Sequence, residues 1–160
     1  MATSKLSLGP LQSLYVSILN GLADGSAMSS LPISNSIDLY LDVLLSGVIV
    51  SGNSGVSSSG KIHLYAYGSI DGGTTYSDGP ISYGSHTLND NAKFIASLNL
   101  NANSTQCEFG PFSVASAFGG FMPERWGVIV KNNTGSALYT GSIVGVENKV
   151  TYRGIKIQTV

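Results

Sequence analysis

Charge is scarce in this chain. Of 160 residues only 11% are Asp, Glu, Lys or Arg, against roughly 25% in an average soluble domain. The formal net charge is −1, and the eight basic residues are scattered from Lys5 to Lys156. A polyphosphate partner requires a basic stripe, so nucleic acid is not expected. No apolar run approaches the roughly 18 residues of a membrane span; the best, LLSGVIV, is short and carries serine and glycine. The N-terminus MATSKLSLGP has no basic segment followed by an apolar one, so no signal peptide is expected, and synthesis in a cytoplasm is the default.

Cysteine is nearly absent as well. Cys107 stands alone, which excludes an internal disulfide and suits a small buried or half-buried hydrophobe. Histidine is limited to His63 and His86. The HxH, CxxC and HExxH spacings of zinc sites are missing, and neither GSIDG nor GSIVG is a nucleophile elbow. Asp38 and Asp42 would lie about 13 Å apart along a strand, beyond the roughly 5–9.5 Å used in glycoside hydrolysis. No catalytic residue and no cofactor is therefore expected.

What the chain has is alternation. It is 42% hydrophobic, enough for a core, and 160 residues suit one domain. From Ile37, IDLYLDVLLSGVIV sets Ile37, Leu39, Leu41, Val43, Leu45 and Ile49 on one face, with Asp38, Tyr40, Asp42 and Ser46 on the other, and Gly47 as the place for a bulge. KIHLYAYGSI sets Ile62, Leu64, Ala66 and Ile70 against His63, Tyr65, Tyr67 and Ser69. KFIASLNL, TQCEFGPFSVASAF, RWGVIVKN, SALYTGSIVGVE and NKVTYRGIKIQTV supply further strands, the last with a shift of register near Gly154. Roughly eight strands between Gly, Asn, Asp and Pro clusters predict a single all-β sandwich, jelly-roll-like or Ig-like. Residues 37–160 are expected to form the sandwich, and residues 1–36 to belong to the same domain as an extended N-terminal arm with the first strand or strands and at most a helical turn.

SIDGGTTYSDG, residues 69–79, fits the Asp-box turn S-x-D-x-G-x-T-W with Tyr76 in the tryptophan position. One copy, no 20–50-residue repeat and only two arginines are incompatible with a sialidase propeller. The segment predicts a turn in which Asp71 binds backbone amides and Gly72 and Gly73 supply positive φ. Calcium is the alternative, with Asp71 and Asp78 as ligands and Asp90 as a third. Tyr65, Tyr67 and Tyr76, together with Tyr40 and Tyr83, could form a platform for a sugar ring or a protein partner, or simply cover a sheet. In FGGFMPERWG, Phe118, Phe121, Met122, Arg125 and Trp126 are residue types enriched at interface cores; the alternative is a loop packed on its own core with Trp126 inside.

The segment GPFSVASAFGGFMPERWGVIVKNNTGSAL, with LYLDVLLSG and LYAYGSIDGGTTYSDG, resembles small β-rich proteins from the structural gene clusters of tailed bacteriophages. The resemblance spans roughly residues 37–138. It implies a virion component of the capsid decoration or cement type, located on the capsid surface. Its implied partners are the major capsid protein and further copies of itself, with a trimer favoured over a dimer. The second functional reading is a carbohydrate-binding recognition module of the virion head or tail.

Overall fold

The computed structural model describes residues 4–16, 19–76, 84–88, 91–141 and 147–159. Eleven strands and one helical turn are present among them: β1 Ser4–Leu8, β2 Gln12–Leu14, β3 Ala27–Ser29, β4 Ile33–Ser34, β5 Asp42–Val50, β6 Lys61–Ser69, β7 Gly84–His86, β8 Lys93–Asn99, β9 Gln106–Ser113, α1 Val114–Ala117, β10 Arg125–Asn133 and β11 Lys149–Thr159. They form two antiparallel sheets. The first runs β1-β11-β5-β9 with β2 also on β11; the second runs β7-β3-β10-β6-β8 with β4 also on β10. The chain is an all-β sandwich. The strands beyond the expected eight are short ones of two to five residues, most of them in the first 36 residues.

Alternation places the core. Ile62, Leu64 and Ala66 of β6 and Trp126, Val128 and Val130 of β10 face the first sheet, and all six are fully buried. Val43, Leu45 and Ile49 of β5 and Val150 and Tyr152 of β11 meet them. Leu14, Val16, Leu19, Leu22 and Met28 join the same core, so the N-terminal segment packs as part of the domain. It is extended, with no helix in its described residues: β1 and β2 both lie along β11.

Five sequence expectations are corrected. Residues 114–117 of the expected strand TQCEFGPFSVASAF form α1, with Ser113 as its N-cap. Residues 37–41 do not continue β5. Asn35 closes a turn instead, its Nδ2 donating to Tyr40 O at 3.1 Å and its Oδ1 accepting from Tyr40 N at 2.8 Å. Tyr40 therefore turns inward to 5% exposure while Ile37, at 87%, and Leu39 face solvent. Ile70 likewise leaves the core face, because β6 ends at Ser69 and the chain turns. Register does not shift at Gly154, which pairs with Val43 in sequence with its neighbours; a Cβ there would collide with the Tyr40 ring, so the glycine makes room for that ring. Finally, residues 136–140 of the expected strand SALYTGSIVGVE are not in a strand, while residues 142–146 lie outside the described residues.

The irregularity expected at Gly47 is present between Leu45 and Gly47, and the extra residue belongs to β9. Gly110 and Pro111 together face Ser46, since Phe112 pairs with Leu45 and Phe109 with Gly47. Residues three apart on a regular strand point to opposite faces. The bulge brings Phe109 and Phe112 to the same face, stacked with centroids 6.2 Å apart against the core.

Candidate functional site

The Asp71 loop is organised by its own side chains. Asp71 Oδ1 accepts from Ser69 Oγ at 2.5 Å, Thr74 N at 3.1 Å and Thr75 N at 3.0 Å. Asp71 Oδ2 accepts from Thr75 Oγ1, and Thr74 Oγ1 donates to Asp71 O at 3.0 Å. These donors, Ser69 and Thr75 foremost, hold the Asp71 carboxyl well below the usual carboxylate range. Gly72 and Gly73 have φ of 74° and 94°, the left-handed geometry that the turn requires. Glu124 Oε2 accepts from Gly72 N at 3.1 Å, tying the loop to the segment before β10. Asp78 and Asp90, the other calcium candidates, lie outside the described residues. Among the described residues no three His, Cys, Asp or Glu side chains cluster as metal ligands.

Of the two readings of the tyrosines, the structure favours rings that cover their own sheet over an open platform. Tyr67 is fully buried, donating from Oη to Ser30 O at 2.7 Å. Tyr76 covers it edge-on at 5.7 Å, and Ala27 and Ile129 complete this small second core. Tyr65 is half-buried and meets Phe94 edge-on at 5.7 Å. Tyr40 is buried beneath the other sheet's end, and Tyr83 lies outside the described residues. The sequence pattern marked a sheet face correctly, but most of that face is closed by its own rings.

The FGGFMPERWG candidates divide. Trp126 is fully buried, edge-on to Tyr152 at 5.3 Å, so it is a core residue and no interface contact. Phe118 and Met122 are half-buried against the core, Phe118 lying with Pro123 over Gly68. Arg125 is half-buried, its side chain against Gly73. Phe121 is 80% exposed. A cleft of about 270 Å³ lies between this loop and the Asp71 turn, walled by Ile70, Phe118 and Pro123.

Phe121 has company that sequence reasoning did not assemble. Strand direction brings the 35–41 turn, the 70–76 loop and the 114–124 segment to one end of the sandwich. Bonds join them: Asn35 N donates to Glu124 O at 2.7 Å, Glu124 accepts from Gly72, and Asp42 Oδ1 accepts from Ala115 N at 2.9 Å. Ile37, Leu39, Leu41, Ile70 and Phe121, all exposed, stand on these loops. Beside them β1 and the last residues of β11 pair only with each other beyond Ile155. This ribbon carries Leu6, Leu8 and Ile157, also exposed, and Lys156 ties it to Asp38 at 4.0 Å. The signal in sequence was Ile37, Leu39 and Leu41, apolar residues in a segment whose partner face is solvent.

Asp38 and Asp42 thus have structural contacts, and Asp42 Oδ1 also accepts from Val43 N at 2.7 Å. Cys107 is half-buried, and burial raises its thiol pKa, the opposite of an activated nucleophile. No helix among the described residues is long and apolar enough to cross a membrane. Compared with protein-family models, curated proteins and solved structures, the chain matches none.

Proposed function

We propose that this chain is a structural protein of a bacteriophage virion, a capsid decoration or cement protein that acts by binding and not by catalysis. The observation that carries the reading is the apolar end of the sandwich. Eight large apolar side chains at roughly 50–90% exposure on linked loops and the adjoining ribbon exceed the scattered singles normal for a soluble surface. Contiguous exposed apolar surface of this kind marks an interaction site. The resemblance of residues 37–138 to phage virion proteins supplies the partner's class, the major capsid protein lattice.

Binding would bury this end across neighbouring capsid subunits and hold them together. An oligomer, with a trimer favoured, would gain avidity from simultaneous contacts. The purified chain should bind expanded, mature-like capsids of its parent phage saturably and in fixed stoichiometry on co-sedimentation. Failure to co-sediment with any such particle would remove the reading. The carbohydrate-recognition alternative is supported less well, because Tyr67 has no exposed ring and Tyr65 is turned edge-on to Phe94.

A further inference from the structure

The outer face of the second sheet, away from the apolar end, carries cations that no carboxylate among the described residues neutralises. Register sets His63 of β6 directly opposite Lys131 of β10. Lys61 lies two residues along β6 on the same face, about 7 Å from His63. From β8 the neighbours are Ser97, opposite His63, and Phe94; from β6 itself comes Tyr65. The His63 ring lies 6.4 Å from Tyr65 and 6.2 Å from Phe94. No carboxylate among the described residues pairs with Lys61 or Lys131; the ion pair found is Lys156 with Asp38, elsewhere. Lys61 and Lys131 are diagonal neighbours across β6 and β10, within reach of each other's long side chains, so their ammonium groups repel and a bound anion would relieve that repulsion.

From this we infer a second interaction site: Lys61, His63 and Lys131 form an oxyanion-binding face that takes the carboxylates of an acidic polypeptide segment of a partner. Charge complementarity selects the class. A nucleic acid would need a longer basic stripe and aromatic faces open for stacking, whereas Tyr65 and Phe94 meet edge-on at 73°. His63 couples the site to pH. Burial, then Lys61 and Lys131, hold its imidazole below the usual histidine range, so the free face keeps His63 neutral near pH 7. A carboxylate set among the three groups favours the imidazolium and draws a proton onto His63. Affinity therefore rises as pH falls towards His63's range.

The test is NMR titration of the full chain with hexaglutamate, with an oligothymidylate as the comparison probe. Hexaglutamate should move the His63 ring resonances and raise the His63 titration midpoint. K61Q and K131Q should each weaken binding up to about fivefold, the reach of one modestly screened charge pair, and K131R should restore it. In the free variants the His63 midpoint should rise but stay below that of the unfolded chain, and an unchanged amide spectrum away from the site shows that the fold is intact. His63 resonances untouched by hexaglutamate, or an unchanged response in K131Q, would overturn the site. Oligothymidylate binding in place of hexaglutamate would overturn the class of partner.

Discussion

The two ends of this sandwich terminate their strands by opposite chemistry. At the end holding residues 51–60, 100–105 and 133–138, short polar side chains saturate the loops. Ser51 Oγ donates to Ala102 O at 2.7 Å and accepts from Thr105 N at 2.8 Å; Asn103 Oδ1 accepts from Val56 N at 3.0 Å. Asn132 is fully buried, its Nδ2 donating to Leu22 O and Ser136 O while its Oδ1 accepts from Thr134 N and Oγ1. No large apolar side chain is exposed among the described residues of these loops. The opposite end is as well tied through Asn35, Asp71 and Asp42, yet it sends Ile37, Ile70 and Phe121 into solvent. Loop closure therefore does not require those side chains, and their exposure calls for another explanation.

The sharpest way to break the polar end is Asn132→Ala. It strands several buried backbone and hydroxyl groups at about 1–3 kcal/mol each, so a loss of about 3 kcal/mol or more is expected in denaturant unfolding. At the apolar end, Gly154→Ala should cost about 1–3 kcal/mol, since the added methyl displaces the Tyr40 ring from β11; the same unfolding curve measures it. Asp71→Asn should leave the global midpoint nearly unchanged but speed amide exchange at Thr74 and Thr75. Because the Asp71 pKa is depressed in the fold, its contribution is present above the unfolded carboxylate's pKa and is lost as pH falls through the lower folded value. Protection of these two amides should thus outlast the ordinary titration of carboxylates. The smallest effect belongs to Ile37→Ser, Ile70→Ser and Phe121→Ser, each within about 0.5 kcal/mol of the parent in stability. If these cost as much as Gly154→Ala, the apolar end is a satellite core and the contrast between the ends fails.

Period-two alternation made β6, β8 and β10 legible because each has a core face and a distinct outer face. It failed at residues 37–41 for a physical reason. Alternation records which side chains are apolar, while strand pairing depends on where backbone groups bond, and there Asn35 captures the backbone of Tyr40. The Asp71 turn was legible because its bonds are local, between residues 69 and 75. The apolar end was not. Its members come from segments about 30 to 150 residues apart in sequence and meet only through the order of strands in two sheets. Trp126 was ambiguous for a related reason: a tryptophan at the first positions of a strand can serve either a loop or a core, and pairing with Ile33 and Gly68 put it inside.

The proposed capsid contact falls on the apolar end. Hydrogen exchange of the full chain, free and bound to expanded capsids, tests that most directly. Protection on binding should centre on residues 37–41, 70–72 and 119–122, with the polar loops at 51–60 and 100–105 unchanged. Protection centred on the polar loops, with the apolar end exchanging as in the free protein, would contradict it.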